Sequence, residues 1–111
     1  MNWENISDNL HIEELIKASE ERPVMIFKHS TRCSISDMVK NRLERETAPE
    51  GISFYFLDLI QHRDLSNRIS ERFSVHHESP QVLLIRNGEC IYDESHNAIS
   101  MAEIAENARA R

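Results

Sequence analysis

The fold is decided by the segment Phe27-Lys28-His29-Ser30-Thr31-Arg32-Cys33-Ser34-Ile35-Ser36. An apolar run at residues 24–27 leads into it and a helical pattern follows, which predicts a strand, a short polar turn and a helix. The backbone N–H groups at the start of a helix lack partners, and the helix dipole is positive there. A cysteine in that position is biased toward its thiolate, the nucleophilic form. Cys33 is therefore the candidate reactive residue, and Lys28 and Arg32 add positive charge close to it in sequence.

Length and composition limit the possible classes of protein. The chain has 111 residues and no linker or repeat, so we expect a single domain over residues 1–111. A net charge of −6 argues against a nucleic-acid surface, which needs clustered positive charge. Residues 1–5 lack the features of a signal peptide, and no apolar run is long enough to span a membrane. Two cysteines are too few for a disulfide scaffold, so the expected compartment is the reducing cytoplasm.

Hydrophobic periodicity predicts the element order α-β-α-β-α-β-β-α. The predicted helices cover residues 7–21, 34–46, 63–73 and a last segment from 100 onward, and the predicted strands cover 24–28, 52–58, 81–85 and 89–93. The first two strands are joined by a helical crossover and should be parallel. Asn87-Gly88 predicts a hairpin between the last two strands. The expected fold is a three-layer α/β/α domain with a mixed four-stranded sheet.

That order, with Cys33 after the first strand and Pro80 immediately before the third, resembles the thioredoxin fold. The motif Cys33-Ser34-Ile35-Ser36 has the Cys-x-x-Ser form of monothiol glutaredoxins. Residues 27–36, taken together with Glu78-Ser79-Pro80-Gln81-Val82, are similar to the monothiol bacilliredoxin-like family of the bacillithiol system. Members of that family are small bacterial proteins of the cytoplasm.

The resemblance implies action on mixed disulfides between protein thiols and a low-molecular-weight thiol. Bacillithiol would be the co-substrate, and no tightly bound cofactor is expected. The resemblance also implies a cis peptide bond before Pro80, a position facing Cys33, and substrate pairing by the Ser79 backbone. Thr31 and Lys28 are expected to complete the substrate-binding surface. No nucleic acid or membrane is expected as a partner, and the protein is expected to be a monomer or a weak dimer.

The expected catalytic residues are Cys33, Ser36 and Arg32. Since position 36 is a serine, no second cysteine of the motif can resolve a mixed disulfide, and another thiol must arrive from outside. Ser36 either donates a hydrogen bond to the Cys33 thiolate or merely occupies the first helical turn. Arg32 and Lys28 would stabilise the thiolate. Cys90, in the last strand, is expected to be a packing residue rather than a resolving thiol.

A function of another class is also compatible with the sequence. The chain could be a non-enzymatic binding module that responds to redox state, or an iron–sulfur carrier like some monothiol glutaredoxins. Ser34-Ile35 replaces the Gly-Phe of the cluster-binding motif, which weakens the carrier interpretation. The spacings of His29, His62, His76-His77 and His96 match no structural zinc pattern, so no metal site is expected. His29 precedes the turn that carries Cys33 and could titrate near neutral pH.

Overall fold

The computed structural model describes residues 1–109. The helices are α1 (Asn9–Ala18), α2 (Ser34–Arg45), α3 (Arg63–Phe73) and α4 (Met101–Arg109). The strands are β1 (Trp3–Asn5), β2 (Val24–His29), β3 (Ser53–Asp58), β4 (Gln81–Arg86) and β5 (Glu89–Ser95), and a short 3-10 helix, His96–Ala98, follows β5. Among residues 1–109, no helix is both long and apolar enough to cross a membrane.

The sheet has five strands, in the order β1-β3-β2-β4-β5, so the predicted count of four is wrong. The additional strand is β1, which pairs in parallel with β3 from Trp3 opposite Phe54 to Asn5 opposite Phe56. Three residues are too few to show the alternation of apolar and polar side chains that predicts a strand, and β1 forms only through its pairing with β3. β3 and β2 are also parallel, whereas β4 and β5 are antiparallel to their neighbours. The mixed sheet and the three-layer arrangement are as predicted.

Helix α1 is shorter than the predicted residues 7–21. Asp8 is its N-cap, and the carboxylate accepts the backbone N–H of His11 at 3.1 Å. Ser19 closes the helix, since its N–H donates to the carbonyl of Leu15 at 3.0 Å. The residues up to Pro23 then form a turn rather than a further helical turn, because the proline cannot continue the hydrogen-bond ladder.

The core consists of one apolar layer on each face of the sheet. The layer under α1 and α3 includes Ile12, Leu15, Val24, Ile26, Leu57, Ile69 and Leu83. The layer under α2 and α4 includes Met25, Phe27, Val39, Leu43, Val82, Leu84 and Ile104. Each such side chain contributes roughly 1.5–3 kcal/mol when fully buried. Because β2 is covered on both faces, its residues alternate between the two layers without any exposed position.

The topology brings the two candidate segments to the same end of the strands. β2 ends at His29, and the following turn leads directly into α2. β4 runs in the opposite direction, with Gln81 opposite Lys28, so Pro80 lies beside the end of β2. The turn that carries Cys33 and the loop that carries Ser79–Pro80 therefore meet at the carboxyl end of the parallel strands, where open α/β sheets place their ligands.

Candidate active site

Cys33 is the N-cap residue of α2, with an extended backbone and a partly exposed side chain. Its N–H donates to the carbonyl of Ser30 at 3.1 Å, which closes the turn, and its carbonyl accepts the N–H of Asp37 at 3.2 Å, which opens the helix. The thiol therefore lies next to N–H groups of the first helical turn that have no helical acceptor of their own.

Hydrogen bonds from that first turn lower the pKa of the Cys33 thiol from its ordinary value. The backbone N–H of Ser36 makes the largest contribution, and the N–H of Ile35 and the Ser36 hydroxyl add to it. Burial and the negative charge of Asp37 oppose this lowering of the pKa, but they do not cancel it. The start of α2 thus favours the thiolate, by the mechanism that the sequence indicated.

Ser36 combines the two alternatives that the sequence left open. It occupies the first turn of α2 and is fully buried. Its hydroxyl contributes to the lowered pKa of the Cys33 thiol. The same oxygen accepts the N–H of Ser30 at 3.4 Å, so Ser36 also ties the helix to the turn in front of it.

We expect Ser36→Ala to raise the pKa of Cys33, because the hydroxyl is one of the groups that lower it. The backbone N–H groups of Ser36 and Ile35 remain in the variant, so the pKa should rise only part of the way to its ordinary value. The pKa is measured from the pH dependence of the iodoacetamide reaction. Ser34→Ala is the matched control, because Ser34 is exposed in the same turn. Identical pH profiles for both variants and the parent protein would contradict a role for the hydroxyl.

The exposed part of the turn contains Thr31 and Arg32. Both side chains are open to solvent directly before Cys33. The groups that lower the pKa of Cys33 all belong to the first turn of α2, and Arg32 is not among them. Thr31 and Arg32 are thus exposed residues next to Cys33 in the chain, and the lowered pKa of the thiol comes from α2 instead.

On the other side of the site, the peptide bond between Ser79 and Pro80 is cis. The carbonyl of Pro80 accepts the N–H of His96 at 2.9 Å. Two buried polar atoms next to this bond, Ser79 Oγ and Gln81 Oε1 at the start of β4, have no hydrogen-bond partner within residues 1–109. Buried polar groups are normally satisfied, so both atoms are exceptions in this structure.

Lys28 is not placed as the sequence analysis expected. Its side chain is fully buried, on the α3 side of the sheet, and its amino group contacts Ser66, Ser70 and His77. A fully buried amino group cannot contact a substrate at the surface, so the expected substrate-binding role does not fit. The alternation of side chains along a strand indicates this buried position, because Lys28 lies two residues after Ile26 on the same face of β2.

His29 and Asp37 form a pair that the sequence did not connect. His29 points to the α2 side, is 3% exposed, and its Nε2 lies 3.3 Å from Asp37 Oδ1. Burial between the rings of Phe27 and Phe56 lowers the pKa of His29 more than the Asp37 charge raises it. His29 is therefore neutral at pH 7. Its Nδ1 is buried and has no partner among residues 1–109.

Cys90 lies at the opposite end of the strands from Cys33. It pairs with Ile85, which pairs with Val24 at the beginning of β2, whereas Cys33 follows the end of that strand. A disulfide requires a Cα separation of about 4.4–6.8 Å, and five residues of strand cover roughly 16 Å. Burial raises the pKa of Cys90 to about 11, and its Sγ donates to the carbonyl of Tyr92 at 3.3 Å. No group of three His, Cys, Asp or Glu side chains within the described part of the chain could hold a metal ion.

A cysteine at the start of α2, beside a cis proline on a mixed five-stranded sheet, defines a thiol redox protein with the thioredoxin fold. The comparisons with known proteins narrow this class to a family. The model of the family described as monothiol bacilliredoxin BrxC matches residues 4–104. The chain therefore belongs to the monothiol bacilliredoxin family, and its function lies in thiol redox chemistry.

Solved structures agree with this assignment. A protein described as a candidate oxidoreductase with a thioredoxin fold is 30% identical, with a TM-score of 0.81 over 95% of this chain and 92% of that one. Thioredoxin from Malassezia sympodialis is 14% identical, with a TM-score of 0.75 over 99% and 90% of the two chains. Fasciola hepatica thioredoxin is 16% identical, with a TM-score of 0.72 over 96% of each chain. The two thioredoxins, at such low identity, show the fold alone.

Proposed function

We propose that the protein is a monothiol thiol–disulfide oxidoreductase that acts through Cys33 on mixed disulfides between protein thiols and a low-molecular-weight thiol. The observation that carries the proposal is the position of Cys33 at the start of α2, partly exposed and with a lowered pKa. Ser36 stands where a dithiol motif has its second cysteine, and Cys90 lies at the other end of the strands. This arrangement supports capture of a small thiol without resolution inside the chain.

The reaction consists of two successive thiol–disulfide exchanges. In the first, the Cys33 thiolate attacks the small-thiol sulfur of the mixed disulfide; the old S–S bond breaks, and the protein substrate leaves as a thiolate that takes a proton from water. In the second, a thiolate of another small-thiol molecule attacks the adduct, releases the symmetrical small-thiol disulfide and restores the Cys33 thiolate. In the net reaction the protein sulfur of the mixed disulfide is reduced to a thiol, and one free small-thiol molecule is oxidised as it forms a disulfide with the small thiol taken from the protein.

Substrate positioning is assigned to the turn that carries Cys33 and the loop that carries Ser79 and Pro80. The backbone of Ser79, next to Pro80, would pair with an extended segment of the substrate, as in strand-like peptide recognition. Thr31 and Arg32 are exposed on the other side of Cys33, where they would contact the small thiol. In this arrangement Arg32 attracts anionic groups of the thiol rather than holding the Cys33 sulfur directly.

Bacillithiol is the proposed co-substrate, in the cytoplasm. The support is the description of the matching family as bacilliredoxin, because the site itself does not distinguish one small thiol from another. No tightly bound cofactor is required, since the electrons enter and leave as thiols.

The proposal is tested with the reduced protein and a model protein disulfide that carries bacillithiol. We expect mass spectrometry to find one bacillithiol adduct, on the peptide that contains Cys33, and excess bacillithiol to remove it with turnover. Glutathione and free cysteine serve as comparison thiols, and bacillithiol should support the fastest turnover. A protein that forms no adduct with any of these thiols and is isolated with bound iron would instead support the iron–sulfur carrier.

Cys90→Ala should leave this exchange unchanged, because the Cys90 thiol is half-buried and distant from the site. The free energy of unfolding should fall by about 1 kcal/mol, which is typical of a small truncation in a packed region. Urea denaturation measures the second effect and the adduct assay the first. A Cys90→Ala protein that captures bacillithiol but no longer turns over would show that Cys90 resolves the adduct.

A further inference from the structure

Lys28 carries a buried positive charge that the proposed reaction does not use. Its side chain has no exposed surface although it lies in the middle of the sheet, on the strand that leads to the active turn. Burial lowers the pKa of Lys28 to about 8, so the amino group is still an ammonium at pH 7. No carboxylate within residues 1–109 forms an ion pair with it.

Neutral groups take the place of a counter-ion. The ammonium donates to the Ser70 hydroxyl at 2.9 Å, to the Ser66 carbonyl at 3.3 Å and to His77 Nδ1 at 3.4 Å. An ammonium has three protons, and these acceptors use all of them. The contact with His77 requires a free lone pair on Nδ1, which defines a neutral imidazole that carries its proton on Nε2. The Ser66 hydroxyl also lies within 3.3 Å of that nitrogen.

This cluster joins three parts of the structure at one point. Lys28 belongs to β2, Ser66 and Ser70 belong to α3, and His77 belongs to the loop of residues 74–80 that ends at the cis proline. His77 is two residues before Ser79, the residue assigned to substrate pairing. The loop is held on the same side by Gln81, whose Nε2 donates to the carbonyl of His76 at 2.9 Å.

Burying an ammonium without a counter-ion costs free energy, because the charge loses its hydration. An apolar side chain of similar size there would avoid the desolvation of a charge and would often leave a protein equally or more stable. The three hydrogen bonds of the ammonium go to polar groups of α3 and of the loop, and the one to His77 joins the loop to the end of β2.

We propose that Lys28 is a positioning residue of the redox site, whose buried ammonium holds the loop before Pro80 in its substrate-receiving conformation through His77. This proposal rests on the function proposed above for Cys33, Ser79 and Pro80. It replaces the surface role that the sequence suggested for Lys28.

The same geometry makes the loop contact dependent on pH. Protonation of His77 removes the lone pair on Nδ1 and brings a second positive charge to the Lys28 ammonium. Burial, followed by the charges of Lys28, Arg63 and His76, lowers the pKa of His77, and only Glu78 acts in the opposite direction. The contact is therefore intact at neutral pH and is lost as pH falls below the ordinary histidine value of 6.5 toward the lowered value.

The first test compares two reagents on Lys28→Met. Iodoacetamide reports the reactivity of Cys33 alone, whereas a protein disulfide carrying bacillithiol also requires the loop before Pro80 to be in position. We expect the exchange rate constant to fall by about 10- to 100-fold, the size that a displaced site element produces, with little change in the alkylation rate constant. Lys17→Met makes the same chemical change at an exposed position on α1 and should behave as the parent protein. Equal losses with both reagents, or no loss with either, would overturn the proposal.

The second test uses His77 and does not depend on the folding of the first variant. His77→Asn keeps an acceptor oxygen near the Nδ1 position but cannot be protonated, whereas His77→Leu has no acceptor. We expect the asparagine variant to exchange like the parent protein at pH 7.5 and the leucine variant to show the same loss as Lys28→Met.

The ratio of exchange to alkylation, followed from pH 7.5 to 5, isolates the loop from the titration of Cys33. It should fall with decreasing pH in the parent protein and stay constant in His77→Asn. A ratio that is constant in the parent, or that falls equally in both, would overturn the proposal. If the parent protein showed no exchange at any pH, the proposed function would fail instead, which is a different result from an active parent with an unaffected Lys28→Met.

Discussion

Cys33→Ser is expected to abolish both adduct formation and turnover with a bacillithiol mixed disulfide, while the protein remains folded. A serine hydroxyl is not ionised at neutral pH and cannot form a disulfide, so no residual exchange should pass through this position. The variant should be at least as stable as the parent protein. Cys33 is the N-cap of α2, and its neutral thiol is a weak acceptor for the N–H groups of the first turn, whereas serine is a preferred N-cap residue, and such caps contribute about 1 kcal/mol.

Mass spectrometry after incubation under oxidising conditions measures the adduct, and urea denaturation measures the free energy of unfolding. Cys90→Ala is the control, because it also removes a thiol but should leave the adduct in place. An adduct of undiminished yield on Cys33→Ser would show that Cys90 is the reactive residue and would reject the proposed mechanism. Loss of the adduct together with loss of cooperative unfolding would be a folding defect, which Cys33→Ala would then separate from the chemistry.

The part of the site that follows from local sequence was predictable. The apolar run before Lys28 and the helical stripe after Cys33 specify a strand and a helix that must meet at a turn. The position of the thiol at a helix N-terminus, and hence the direction of its pKa shift, follows from that corner alone. The proline at the start of β4 needed the family resemblance, since nothing local to residues 79–80 distinguishes a cis bond from a trans bond.

Contacts between residues distant in sequence were not predictable in this way. β1 has no periodic signal of its own and forms only because the edge of β3 is available to it. The charge of Lys28 suggests a surface position, whereas the strand period places it with Ile26 on a covered face. Its acceptors come from α3 and from the loop at His77, which are 38 to 49 residues further along the chain.

The pair of His29 and Asp37 shows the same limit. His29 is the last residue of β2 and Asp37 lies in the first turns of α2, so the sharp corner at Cys33 is what brings them within 3.3 Å. A sequence shows both residues but not the angle of the corner. The consequence reaches the thiol, because the Asp37 charge raises the pKa of Cys33 against the effect of the helix start. The pKa of Cys33 is thus lowered by Ser36 and Ile35 in the first turn of α2, against burial and, to a smaller extent, the charge of Asp37.

Selective alkylation of Cys33 over Cys90 is the second large effect that we expect. At pH 7 a thiol with a pKa of about 11 is ionised to only about 10⁻⁴, whereas a thiol with a pKa below the ordinary 9.0 exceeds about 10⁻². The thiolate is the reacting form, and the greater nucleophilicity of the more basic Cys90 thiolate offsets only part of this ratio, so iodoacetamide should label Cys33 at least about 10-fold faster than Cys90. The partly exposed position of Cys33 at the start of α2 acts in the same direction.

The labelling is followed by quenching samples over time and measuring the modified fraction of each cysteine peptide by mass spectrometry. The protein unfolded in urea is the control, since both thiols then have ordinary pKa values and should react at similar rates. The selectivity should shrink as pH rises toward 11, because Cys90 ionises there while Cys33 is already fully ionised. Equal and slow labelling of both cysteines in the folded protein at pH 7 would mean that the start of α2 does not activate Cys33, and the chain would then be better described as a binding module than as an oxidoreductase.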